Sequence, residues 1–327
     1  MPASRSRSLL VDAARLYYVD GLGQGEISRR LGVSRSNVSR ILAAAREQGI
    51  VEVRIHDDNR ETRRVPELEA AIADHFEIRE VHVAGAASGI SPLDQVTQLA
   101  ARVFEERAPD ATRIGLSWGA TVAHFVDELQ PQASRRVLEV MPLVGGLPTG
   151  ETGRAGNLSI LTLARKVGAS PRWMQAPAVV ESKLTHDAMM HESSIIDSLE
   201  YASNCDLAFV GIGSFGVHTS RRVITAMRLS DAEEAQLLAA NPVGDICGRF
   251  FDARGRVIGP PASDRVIGLT MDQLSDIETL VGMASGREKA PGVAGALRTG
   301  VLDVLVIDEE LATAVIHGDA SRTTGSD

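Results

Sequence analysis

At 327 residues with 44% hydrophobic side chains, the chain is long enough for two domains, each with its own core. No apolar run approaches the roughly 20 residues of a membrane span and no secretory h-region opens the sequence, which excludes a membrane protein and points to the cytoplasm. The net charge of −9 argues against nucleic acid for the chain as a whole, yet residues 1–64 hold 12 Arg against 8 acidic residues and the remainder 22 basic against 35 acidic, a basic head on an acidic body.

The N-terminal residues 1–7 read as a polar, basic, disordered tail. Leu9–Val19 then reads as a helix, closed by Gly21 and Gly23. The stretch Gln24–Ala43 organises the head. Ile27, Leu31, Val33, Val38 and Ile41 stand at helical spacing on two short segments, with the small Ser28 one turn before Leu31. Gly32 can end the first segment with a positive φ, and Ser34 can cap the second. Two short helices over such a turn make a helix-turn-helix, whose second helix enters the DNA major groove. Its outward side would carry Ser34, Arg35, Ser36, Asn37, Ser39 and Arg40, hydroxyls, an amide and two guanidinium forks suited to base edges and phosphates of double-stranded DNA.

Ile50, Val51, Val53 and Ile55 alternate with Glu52 and Arg54, either a wing of the DNA-binding head or a strand joining the body's sheet. The expected division is residues 1–55 for the helix-turn-helix domain, 56–65 for a charged linker, 66–318 for an α/β effector-binding and oligomerisation domain, and 319–327 for a disordered tail. Pro66 opens a helix with Leu68, Ile72 and Phe76 along one side. Beyond it, short apolar runs at Val81–Ala84, Arg113–Leu116, Val137–Pro142, Leu207–Ile212, Val266–Ile267 and Val304–Ile307 read as strands. Helix-length segments such as Leu93–Glu106, Thr121–Leu129 and Leu158–Lys166 lie between them. The alternation predicts a largely parallel sheet with helices on both faces, whose ligand sits at the carboxyl ends of the strands.

The loops at those ends carry the chemistry. Ser117-Trp118-Gly119-Ala120-Thr121 runs into a helix, offering free N–H groups and hydroxyls to an anion. Pro142 to Gly146 and Gly211-Ile212-Gly213-Ser214 end two further strands. Ser285 to Lys289 precedes a helix over Gly292–Thr299, and Lys289 is one of three lysines against 31 arginines. Together these loops favour a phosphate-bearing ligand. Cys205 and Cys247 are expected as buried small hydrophobes rather than as a disulfide or metal ligands, and no cofactor or metal is expected.

The head, the SWGAT turn, the GG and GIGS loops, the GDICGRFFDARG stretch and GREKAPGVAGALRTGVLDVLVIDEELA resemble the SorC family of bacterial sugar-responsive transcriptional regulators, over residues 9–317. The resemblance implies a Rossmann-like effector domain related to sugar-phosphate isomerases, a phosphorylated-sugar effector and a homo-oligomer, dimer or tetramer, acting on an operator. It assigns phosphate binding to Ser117, Gly119, Ala120 and Thr121, with Gly146 beside them. Arg221 and Lys289 would neutralise the phosphate and Asp245 would accept from sugar hydroxyls. Two positions depart from the family pattern: Ser285 replaces a Gly, and Asp264 replaces an Asn. The rival expectation, an isomerase-like enzyme carrying a DNA-binding head, would draw on Asp245, Asp252, Asp264 or Glu309. No adjacent acid/base pair emerges among them.

Overall fold

The computed structural model describes residues 7–47, 50–51, 63–109, 111–131, 139–147 and 156–323. The chain divides into two compact units, Met1–Glu61 and Thr62–Asp327.

The first unit is three helices, α1 (Arg7–Tyr18), α2 (Gln24–Leu31) and α3 (Arg35–Glu47). Leu10, Ala13 and Ala14 of α1 close over Ile27 of α2 and Val38, Ile41, Leu42 and Ala45 of α3, all buried. That core comprises the face which the helical spacing predicted, with α1 as its buttress. Ile50 and Val51 pack on it without strand pairing. The expected wing over Val53 and Ile55 lies outside the described residues, as do residues 56–62 of the linker.

The second unit runs α4 (Pro66–Phe76), β1 (Glu80–Ala84), α5 (Pro92–Arg107), β2 (Arg113–Leu116), α6 (Ala120–Glu128), β3 (Glu139–Pro142), α7 (Gly156–Val167), β4 (Ser170–Pro171), α8 (Lys183–Met190), α9 (Ser193–Ser203) and β5 (Leu207–Ser214). It continues through α10 (His218–Met227), α11 (Asp231–Ala239), β6 (Pro242–Ile246), β7 (Arg249–Asp252), α12 (Met271–Ser275), β8 (Thr279–Ala284), α13 (Ala290–Arg298), β9 (Val304–Asp308) and α14 (Glu309–Thr323). Seven strands pair in parallel in the order β1-β9-β8-β5-β2-β3-β4. Strand alternation divides the core. Leu207 and Phe209 of β5, Val281 and Met283 of β8, and Val304 and Val306 of β9 face α5, α6 and α7. Ala208, Val210, Leu280, Leu305 and Ile307 face the side covered by α4, α9, α13 and α14. Helices therefore cover both faces, the doubly wound arrangement that the alternation predicted.

Three expectations are corrected. Val266–Ile267 is no strand; Val266 makes a single bridge to Val179. The buried Arg249 guanidinium claims the carbonyls of its segment, donating to Ser263 O at 3.1 Å, Val266 O at 3.4 Å, Gly268 O at 2.7 Å and Leu269 O at 3.0 Å. The linker does not extend to residue 65, because Val65 N–H donates to Val83 O at 3.1 Å and Gly85 N–H to Arg63 O at 2.6 Å. Residues 319–323 continue α14 rather than forming a tail, since Gly318 costs a helix only about 1 kcal/mol and Ala320 and Ser321 tolerate it.

Two features among those the sequence reading left unnamed have a local cause. One is β8, whose run Thr279–Ala284 is interrupted by Gly282; a Cβ there would lie 2.9 Å from Leu302. The other is the antiparallel β6–β7 hairpin, added at the end of β5. It turns through Cys247 (φ 54°) and Gly248 (φ 77°), both left-handed, as a two-residue hairpin of matching twist requires.

Candidate functional site

In the first unit the turn between α2 and α3 is built by Ser28. Its hydroxyl donates to Val33 O at 2.6 Å, and its carbonyl accepts from Val33 N–H at 3.1 Å and from the N–H of Gly32 (φ 65°). Ser34 caps α3 by accepting from Asn37 N–H at 3.3 Å, and its hydroxyl sits 3.1 Å from that of Ser36. With Val38, Ile41 and Leu42 pointing inward, Ser34, Arg35, Ser36, Ser39 and Arg40 are exposed and Asn37 is half-buried. Both guanidinium groups thus lie on the solvent side of α3, joined by the exposed Arg29 and Arg30 at the end of α2.

In the second unit the strand order reverses between β2 and β5. β2 leads through α6 to β3 on one side, and β5 lies on the other. A crevice opens at the carboxyl ends of such a pair. Gly119, with φ 129° and ψ 165°, turns the chain from β2 into α6, leaving the first N–H groups of that helix at the crevice. Ala120 is exposed there and Thr121 is buried.

Ser117 does something other than the sequence suggested. Buried at 4% exposure, its hydroxyl accepts from Gly211 N–H at 3.1 Å, and its own N–H donates to Phe209 O at 3.1 Å. It stitches the β2 loop to the β5 loop instead of presenting a free hydroxyl. Gly146 is likewise committed: its N–H donates to Ala176 O at 2.9 Å and its carbonyl accepts from Ala178 N–H at 2.8 Å.

Asp245 and Lys289 converge although 44 positions separate them in the sequence. Three glycines make this possible. A Cβ on Gly292 would stand 2.4 Å from Gly213 O, and one on Gly244 would stand 2.6 Å from the same oxygen and 2.8 Å from Gly292 Cα. Backbone therefore packs on backbone, drawing α13 and β6 against β5. A Cβ on Gly213 itself would strike Asp245 Oδ1 at 2.2 Å. Asp245 Oδ2 accepts from Gly248 N–H at 3.2 Å, whereas Oδ1 is buried with no hydrogen-bond partner. Burial pushes its carboxyl above the usual range, opposed by the nearby Ser220 hydroxyl, the Gly248 N–H and the Lys289 charge. Burial also lowers Lys289 from the usual ammonium value, opposed by Glu288, Asp245 and Asp308. A carboxylate with a spare oxygen beside a half-buried ammonium can accept from a hydroxyl and neutralise an anion at one place.

Arg221 is exposed as the fourth residue of α10. Its neighbour Ser220, which the sequence reading passed over, is 2% exposed, with its hydroxyl near the Asp245 carboxyl but making no hydrogen bond of ordinary length. The candidate acid/base residues have other employment. Asp252 accepts from Arg254 and Arg256 N–H at 2.9 and 3.0 Å and from the Arg256 side chain at 2.7 Å. Asp264 lies 3.7 Å from Lys183 Nζ, and Glu309 accepts from Ala86 N–H at 2.8 Å. Both cysteines are buried, which pushes their thiols up to about 12.

A helix-turn-helix unit with an arginine-bearing outer face, followed by a doubly wound unit with a polar crevice at its switch point, defines a DNA-binding regulator that carries its own small-molecule domain. Comparison with known proteins supports this. Residues 61–317 match the family described as "Putative sugar-binding domain" and residues 14–60 match the MarR family. The chain is 29% identical over 313 residues to the sorbitol operon regulator of Klebsiella pneumoniae, covering 94% of this chain and 97% of that one. It is 29% identical over 317 residues to the deoxyribonucleoside regulator of Bacillus subtilis, covering 95% and 98%. It is 30% identical over 308 residues to the transcriptional regulator LsrR of Escherichia coli, covering 93% of each. The crystal structure of the full-length sorbitol operon regulator SorC from Klebsiella pneumoniae superposes with a TM-score of 0.70 at 29% identity, over 96% of this chain and 99% of that one. The chain belongs to the SorC family of sugar-binding transcriptional regulators. These relatives are named as regulators, so the enzyme expectation is set aside. Among the described residues no helix is long and apolar enough to cross a membrane.

Proposed function

We propose that a phosphorylated sugar, bound at the crevice between β2 and β5, sets the affinity of α3 for a palindromic DNA operator in the cytoplasm. Gly119, Ala120 and Thr121 would hold the phosphate on the first N–H groups of α6, with Lys289 and Arg221 supplying positive charge. Asp245, seconded by Ser220, would accept from the sugar hydroxyls. Ser117 and Gly146 would serve the site by fixing its loops. Ser34, Arg35, Ser36, Asn37, Ser39 and Arg40 would read the duplex. One short helix spans too few base pairs to single out a site, so the chain would act as a homo-oligomer, a dimer or tetramer.

The observation that carries the reading is Asp245 Oδ1, a buried acceptor with no hydrogen bond of ordinary length and within range of the Lys289 charge. The test is thermal unfolding of the full chain with ribose 5-phosphate, glucose 6-phosphate, their unphosphorylated sugars and inorganic phosphate. This is joined to binding of DNA enriched from a random library, followed by fluorescence anisotropy. A sugar phosphate at 100 times its Kd should stabilise by about 2.7 kcal/mol and change DNA affinity, whereas the free sugar should do neither. A sugar phosphate that raises Tm and leaves DNA affinity unchanged refutes the coupling.

A further inference from the structure

The Lys289 loop is joined to the point where the chain enters the second unit by a run of hydrogen bonds through two consecutive acidic residues. Gly286 N–H, in the loop, donates to Asp308 Oδ2 at 2.8 Å, and Asp308 Oδ1 accepts from Leu311 N–H at 2.9 Å. Asp308 is 2% exposed, so both oxygens are held out of water, one by the loop and the other by the first turn of α14. The next residue, Glu309, accepts through Oε2 from Ala86 N–H at 2.8 Å, just beyond β1.

From Ala86 the bonds reach the incoming chain. Gly85 N–H donates to Arg63 O at 2.6 Å and Val65 N–H to Val83 O at 3.1 Å. The fit is close: a Cβ on Gly85 would stand 3.1 Å from Arg63 O and 3.2 Å from the side chains of Arg63 and Val65. Glu69 locks the same strip, taking Arg64 Nε at 2.8 Å and Val83 N–H at 2.9 Å on one oxygen. Parallel pairing of β1 with β9, with Ala84 opposite Asp308, puts these ends side by side. Parallel neighbours end together, so the last residue of β9 and the one after it can serve the two sides.

We infer that Asp308 and Glu309 are positioning residues that transmit occupancy of the Lys289 loop to the strip at Arg63–Val65, and through the covalent chain to the DNA-binding unit. This rests on the reading of Lys289 as an effector contact. An anion drawn to Lys289 loads the loop, and the loop cannot shift against the Gly286–Asp308 bond without moving the first turn of α14. Glu309 starts that turn and moves with it, and its bond carries the displacement to Ala86 and Gly85. Close-packed elements respond to such loads as units rather than by continuous deformation.

The test compares the full-length wild type with Glu309→Ala and Glu309→Gln, the latter keeping an oxygen that can accept from Ala86. Ribose 5-phosphate and glucose 6-phosphate are the probes, with thermal shift for binding, anisotropy on library-enriched DNA for coupling, and amide exchange across residues 82–87. Glu309→Ala should bind the effective probe within about threefold of wild type. Its probe-dependent change in DNA affinity should fall below about twofold, from a wild-type change within the ~5–150-fold range of allosteric couplings. Probe-induced changes in exchange at residues 82–87 should vanish in Glu309→Ala and return, with the coupling, in Glu309→Gln. If Glu309→Ala couples as strongly as wild type, the inference falls while the effector site stands. If neither probe binds the wild type, the effector reading falls and takes this inference with it.

Discussion

Replacing Asp245 by Asn should move stability and ligand binding in opposite directions. Asp245 is 4% exposed, keeps one bond of 3.2 Å from Gly248 N–H, and leaves Oδ1 with the Ser220 hydroxyl nearby but no hydrogen bond of ordinary length. Leaving a buried polar group unsatisfied costs about 1–3 kcal/mol, more when it is charged, and Lys289 offsets part of this. An amide keeps an oxygen for Gly248 and removes the charge, so Asp245→Asn should gain roughly 1–2 kcal/mol at neutral pH. For a unit of this size that is about 2–8 °C in Tm. The sign follows from linkage. Burial raises the folded-state pKa, so the folded form holds its proton more firmly than the unfolded chain does. The stability this contributes is complete below the ordinary carboxylate pKa near 3.9 and is lost as pH rises through the raised value. The variant lacks that proton, so its Tm advantage should be near zero at the acid end, grow through this window, and then stay level. Binding of a sugar phosphate should meanwhile weaken by roughly 10- to 150-fold, the value of about 1.5–3 kcal/mol for a hydrogen bond to a charged group. Differential scanning fluorimetry from pH 4 to 8, with and without the probe, measures both. A Tm difference independent of pH, or an Asn variant that binds as wild type does, refutes the reasoning.

Arg40→Ala should weaken DNA binding by about 1–3 kcal/mol with relaxed preference at one base pair if the guanidinium reads a base; a uniform loss and a salt slope smaller by about 1, measured by anisotropy at several salt concentrations, would mark a phosphate contact. Gly119→Ala forces a side chain into φ 129°, at about 1–3 kcal/mol of strain, and should lower Tm while abolishing the stabilisation by sugar phosphate. Arg249→Met leaves the carbonyls of Ser263, Val266, Gly268 and Leu269 without their donor, and urea unfolding should register a loss of about 3–5 kcal/mol.

What could be read from the sequence was whatever local periodicity and turn chemistry encode. Ile27, Gly32, Ser34 and Val38 lie within one short window, and each carries out its predicted task. The short, largely apolar runs at Val81–Ala84, Arg113–Leu116, Leu207–Ile212 and Val304–Ile307 are strands, too short for helices of their own and alternating with helix-length segments as buried parallel strands do. Residue identity alone could not reveal that Ser117 bonds Gly211, nor that Gly146 is spent on residues 176–178, because both depend on segments far away in sequence. The run at Thr279–Ala284 was obscured by Gly282, which reads as a breaker but is required by Leu302 pressing on the strand. The hairpin signal was present in Cys247-Gly248, though a Cys in the first turn position lacks the Asn or Asp that makes such turns conspicuous.

On the proposed reading, a site that binds a sugar phosphate differs from one that turns it over in how its carboxylates are employed. Proton transfer needs an acid and a base within reach of the same substrate. Asp252 is held by Arg254 and Arg256, Asp308 by Gly286 and Leu311, and Glu309 by Ala86. Each of these bonds fastens a turn or a helix start, so these acidic residues are spent on structure. Asp245 keeps Oδ1 without a hydrogen bond of ordinary length, and on the proposed reading one acceptor near one ammonium recognises a hydroxyl next to an anion. On that reading, binding energy collected there would shift a conformational equilibrium that DNA affinity can report.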